Sequence, residues 1–278
     1  FQLIYVFDMG NNHDKALGTA FDYLEYLGTS DMTPEELKSE FYRLACTFYV
    51  SPGNERTYVV LSGLNENMPA AVQLFEKLLA DAQVNKEAYT NMTSDILKAR
   101  SDAKLNQGQN FSRLMSFAMY GPKSPATNLL TEAELTNMNP QELVDRIHNQ
   151  NSYKHRILYY GPSSSKDLLA TINQYHQVPA ALKDIPAGNE YSYLETPVTK
   201  VLVAPYDAKQ IYMAQISNLD KKYDPAIEPI RALYDEYFGG GMNSIVFQEM
   251  RETRGLAYSA WASIMPPSYL KYPYVLRT

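Results

Sequence analysis

Tyr258 lies seven positions after Arg251 in the stretch Arg251-Glu252-Thr253-Arg254-Gly255-Leu256-Ala257-Tyr258-Ser259-Ala260. A guanidinium carries a fork of N–H donors and a phenol one O–H donor, so what this pair offers is hydrogen bonding. The stretch follows Gly239-Gly240-Gly241-Met242-Asn243-Ser244. Three glycines ahead of a helix start can form an anion-binding nest or a plain flexible turn. No Gly-Lys-Ser/Thr follows them, so a nucleotide loop is a poor reading. Asn243 or Ser244 can cap a helix reaching to about Thr253, with Arg251 in its last turn. Gly255 is the expected helix stop, and a strand is expected after it with Leu256, Tyr258 and Ala260 on one face.

Other reactive residue types are sparse. The four histidines, His13, His148, His155 and His176, contain no pair at i, i+4. Each is expected to be a surface or core residue without a catalytic role. Cys46 is the single cysteine, which excludes an internal disulfide and a cysteine-rich metal site and reads as a small core residue.

The elements that must position these residues come from pattern. Apolar spacing predicts helices over 16–27 (Gly28 as its C′ residue), from Thr33-Pro34-Glu35-Glu36 onward, from Met68-Pro69 onward, and over 85–103, 110–120, 131–139, 140–148, 166–174 and 227–237. Strands are predicted over 3–7, 56–64, 155–161, 199–204 and 210–216. The Pro-, Gly- and Tyr-rich stretch 178–196 has no period and reads as a linker. The organisation is therefore a first α+β domain (1–177), a linker (178–196) and a second, less complete α+β domain (197–278). Both ends read as cut through elements, at Phe1–Phe7 and at Tyr272–Leu276.

With 278 residues, 45% apolar, 20% charged and a formal charge of −6, the composition is that of a globular protein and argues against nucleic acid or anionic membrane as partner. No apolar run reaches the ~20 residues that span a bilayer.

The segment 238–260, with Leu27-Gly28-Thr29 and the Thr57–Leu64 strand, resembles the pitrilysin/insulinase family of zinc metallopeptidases. The resemblance implies two related α+β domains, each a mixed, largely antiparallel sheet with helices packed on it, the second truncated. Catalytic halves of that family carry H-x-x-E-H on the first main helix, which puts two histidines on one helical face beside a glutamate that activates zinc-bound water. Read onto the motif, Asp22, Glu25 and Tyr26 stand for the first histidine, the base and the second histidine. No glutamate lies between Glu87 and Glu132, where the last ligand belongs. The resemblance therefore implies no metal bound by this chain, and Asp22 and Glu25 read as a solvated helix face.

In the same family the non-catalytic half supplies an arginine and a tyrosine seven residues apart. The carry-over gives Arg251, binding substrate backbone carbonyls, and Tyr258, donating to the tetrahedral oxyanion. Gly239, Gly240, Gly241, Met242 and Asn243 correspond to a substrate-handling loop. The competing readings are Arg251 satisfying helix-end carbonyls with Tyr258 packed in a sheet, and Arg254 in place of Arg251. The expected function is the substrate-binding, non-catalytic half of a zinc endopeptidase, with peptide as substrate and zinc in a homologous partner half on the same or a separate chain. The alternative is a catalytically dead peptide-binding or scaffold protein of the same fold. The resemblance points to a bacterial periplasm or cell envelope.

Overall fold

The structure is a computed structural model and describes residues 1–267 and 269–278. The chain forms two compact units: 1–101 with 128–190, and 102–127 with 191–278.

The first unit is built on a four-stranded antiparallel sheet. Its strands are β1 (Gln2–Phe7), β2 (Cys46–Pro52), β3 (Thr57–Gly63) and β4 (His155–Tyr160), in the order β2-β3-β1-β4. Around it lie α1 (Leu17–Leu24), α2 (Pro34–Arg43), α3 (Met68–Asp81), α4 (Lys86–Ala103), α6 (Glu132–Asn137), α7 (Gln141–Gln150) and α8 (Ser165–Tyr175); α5 (Gln107–Tyr120) belongs to the second unit. Alternation along β1 sends Leu3, Tyr5 and Phe7 into the core, where they meet Phe21 and Leu24 of α1, Val72, Phe75 and Leu79 of α3, and Leu143, Val144 and Ile147 of α7. Thr33 caps α2 in a reciprocal box with Glu36, as the Thr-Pro-Glu-Glu pattern predicts.

The opposite sheet face is buried at Val6 and Val60 in its middle and exposed on its outer strands. Directly paired residues Tyr49, Val60, Ile4 and Leu158 form one apolar row across all four strands. Tyr49 and Leu158 at its ends are each 50% exposed.

The second unit holds a three-stranded antiparallel sheet of β5 (Ile216–Lys222), β6 (Ser263–Met265) and β7 (Pro273–Arg277), in the order β5-β7-β6. Its helices are α5, α9 (Glu228–Phe238) and α10 (Ile245–Phe247), which runs on into a π-helical turn, Gln248–Thr253. Both units are mixed α/β with antiparallel sheets and packed helices, as the resemblance implied.

Several local expectations need correction. Residues 199–204 form no strand: Val201 and Val203 are exposed and lack the cross-strand partners that give β-branched residues their preference. The strand expected over 210–216 begins only at Ile216. No strand runs through Leu256, Tyr258 and Ala260. Helix α1 ends at Leu24 with Glu25 as its cap, so Gly28 is not its C′ residue; Gly28 instead approaches Met32, whose carbonyl would lie 2.2 Å from an added Cβ. Cys46 is a buried core residue, on β2.

Candidate substrate-binding segment

Ser244 starts the helix that carries Arg251. Its Oγ accepts from the Phe247 N–H (3.4 Å) and donates to the Gly241 carbonyl (2.8 Å). The Gln248 side-chain amide donates to the Met242 carbonyl at 2.6 Å, tying the glycine loop to the helix it precedes. Gly239 is required by close approach, because a Cβ there would lie 2.1 Å from the Ala262 carbonyl oxygen.

At the other end Gly255 sits at φ +60°, the left-handed conformation of a helix stop. Its N–H donates to the Arg251 carbonyl, and that of Leu256 to the Met250 carbonyl. These are the two bonds of a Schellman closure, each widened by one residue, as the π-helical turn requires. The closure turns the chain back so that Tyr258 returns to Arg251. The Arg251 Cζ lies 4.5 Å from the Tyr258 ring centroid and 4.9 Å from that of Phe247. Its Nε is 3.5 Å from Glu252 Oε1.

Tyr258 is 84% exposed, so it packs in no sheet. Arg254 pairs with Glu249 and is not stacked in this cluster. Gly241, Met242 and Asn243 are exposed, Gly240 partly so and Gly239 buried. The geometry thus brings Arg251 and Tyr258 together and adds Phe247, which sequence reasoning missed; its place one helical turn before Arg251 was the available signal.

The positions read onto the zinc motif, Asp22 on α1 and Glu25 and Tyr26 just past its end, do not make a metal centre. Tyr26 is exposed, and Glu25 accepts from the Val50 N–H at 3.3 Å. Asp22 lies on the solvent side of the helix, yet partial desolvation, and then the neighbouring Glu25 carboxylate, raise its carboxyl above the usual range. Among the described residues no group of three or more His, Cys, Asp and Glu side chains is arranged to hold a metal ion, so these residues do not fit zinc. No helix among the described residues is long and apolar enough to cross a membrane.

The histidines are less scattered than their sequence positions. His155 on β4 and His176 at the end of α8 meet with Nε2 atoms 2.8 Å apart, and His176 Nδ1 is 2.8 Å from Glu76 Oε1. Glu76 shares the inward face of α3 with Val72 and Leu79, and a carboxylate at that position was the sequence signal for a buried polar partner.

No family model matches the chain. Among curated proteins it is similar to a protein of Rickettsia felis described as an uncharacterized zinc protease, 20% identical over 263 residues. Among solved structures it is similar to a peptidase M16 inactive domain from Pseudomonas fluorescens, TM-score 0.70 at 18% identity over 99% of this chain and 68% of that one. The fold is that of peptidase M16 domains. The periplasmic protease PqqL from Escherichia coli superposes with TM-score 0.75 at 15% identity, over 99% of this chain and 31% of its own. The match to the Rickettsia protein takes in 90% of this chain, which spans 60% of that relative's length. The resemblance to pitrilysin-type zinc peptidases read from residues 238–260 is therefore borne out.

Proposed function

We propose that the chain is the substrate-binding, non-catalytic half of a zinc-dependent endopeptidase. The observation that carries this reading is the exposed Tyr258 phenol held beside the Arg251 guanidinium on an M16-type fold. Stacking uses the flat face of the guanidinium and leaves its N–H edge for substrate carbonyls. The Tyr258 O–H, at the outer end of its ring, donates to the oxygen that gains charge as the scissile carbonyl is attacked. Gly239 to Asn243 form the loop that the substrate backbone passes. A homologous partner half, on the same chain or a separate one, would hold the zinc, which when bound would supply an activated water and polarise the carbonyl.

The second reading, a catalytically dead peptide-binding or scaffold protein, is favoured by the likeness to a domain described as inactive. Reconstitution with a zinc-bearing M16 half separates the two. Under the first reading the mixture cleaves peptides that neither part cleaves alone. Peptide binding without cleavage by the reconstituted pair supports the second. Stoichiometric zinc held by this chain alone overturns the first.

A further inference from the structure

The His155–His176 contact has a proton count that the histidines alone cannot meet. His176 Nδ1 faces Glu76 Oε1 at 2.8 Å, and His155 Nδ1 faces the Tyr153 carbonyl at 2.7 Å. Oxygen acceptors at both positions call for a proton on each Nδ1. A neutral imidazole carries one ring proton, so both Nε2 atoms would then be bare lone pairs. They lie 2.8 Å apart, which is hydrogen-bond distance.

We propose that this cluster is a buried proton-binding site: a third proton is shared between the two Nε2 atoms, making an imidazole–imidazolium pair neutralised by Glu76. A metal ion fits less well, since two nitrogens each about 2.0 Å from zinc at a tetrahedral angle stand roughly 3.3 Å apart.

The groups facing the pair come from every element around it. Tyr5 of β1 donates its O–H to Glu76 Oε1 at 2.7 Å, and Asn151, just after α7, donates to Oε2 at 3.2 Å. The Phe7 ring of β1 lies against His155, tilted by 42° with centroids 5.3 Å apart. Glu76 and His176 are 6% and 8% exposed. Burial, the largest cause, pushes the His155 imidazole below its usual range. The cluster thereby clasps the end of α8 to α3 and the sheet.

The clasp is sensitive to pH in both directions. The folded pair holds three ring protons; the unfolded pair holds two well above about pH 6.5 and four well below it. Above that pH the folded state holds more protons, so stability falls as pH rises. Below it the unfolded state holds more, so stability falls as pH drops, and the depressed His155 acts in this same direction, its contribution being lost as pH falls through its folded value.

The test is nuclear magnetic resonance of the full chain with 15N-labelled histidine, near neutral pH. Expected are protons on both Nδ1 atoms and a trans-hydrogen-bond coupling between the two Nε2 nitrogens. One ring found with a bare Nδ1 would leave only two protons and overturn the proposal. So would added zinc that shifts both Nε2 resonances and raises the melting temperature in a one-to-one ratio. As an independent measurement, stability against pH should peak near about pH 6.5, and the peak should be lost in His155→Phe. A wild-type profile with no maximum in that region also overturns it.

Discussion

The guanidinium of Arg251 lies against the ring of Tyr258, Cζ to centroid 4.5 Å, with the ring of Phe247 at 4.9 Å. Two residues seven apart meet because a π-helical turn and a left-handed Gly255 reverse the chain between them. The stacking fixes the arginine without consuming its N–H edge, a state suited to gripping a peptide backbone.

Tyr258→Phe removes one donor and keeps the ring. In the assembled enzyme, turnover should fall by roughly 10- to 1000-fold while peptide affinity changes little. A change in stability alone, with turnover intact, would assign Tyr258 to the scaffold reading.

Arg251→Lys loses both the planar stack and the fork of donors. Peptide affinity should weaken by about 1.5 kcal/mol, roughly tenfold, the scale of a charge-assisted hydrogen bond. Equilibrium titration with a labelled peptide measures it.

The loop glycines should separate. Gly239→Ala drives a Cβ into the Ala262 backbone and should unfold or displace the loop, costing more than about 3 kcal/mol. Gly241 has open space around it and φ +127°, so Gly241→Ala carries only conformational strain, about 1–2 kcal/mol. Denaturant melts of the two variants give the comparison.

Thr33→Ala removes the side-chain acceptor for the Glu36 N–H at the start of α2. A loss of about 1 kcal/mol is expected, read as a lower denaturant midpoint at unchanged slope.

Asp22→Asn should stabilise slightly at neutral pH. The raised Asp22 carboxyl means the folded state holds that proton more tightly than the unfolded state, so the residue's contribution is present in acid and lost as pH rises through its folded value. Replacing it should raise stability at about pH 7 by no more than about 0.5 kcal/mol, given its exposure, and make no difference at about pH 3. Thermal melts at both values show whether the gain vanishes in acid.

Much of the first unit was legible because its core residues follow helical or strand periods, as with Leu143, Val144 and Ile147 or Leu3, Tyr5 and Phe7. Strand β2 was not. It follows α2 after a turn in which Ala45, not glycine, takes φ +49°, and sequence carries no mark of such a turn. The Arg251 helix, a cap at Asn243 or Ser244 and the Gly255 stop were readable from residue types alone, and the structure picks Ser244. The stacking on Phe247 was not, since it depends on the widened turn. Glu76, His155 and His176 lie on three elements far apart in sequence, and only the folded sheet brings them together.

The strand order β5-β7-β6 has a consequence for how the second unit forms. Its middle strand is the last of the three to leave the ribosome. β5 and β6, which share no ladder, must wait as separate segments until Pro273–Arg277 arrives between them. Nearly every long-range pairing of this sheet then closes in one late step, the kind of non-local event that sets a slow folding rate. Trimming those few residues would dissolve the sheet from its centre instead of fraying its edge.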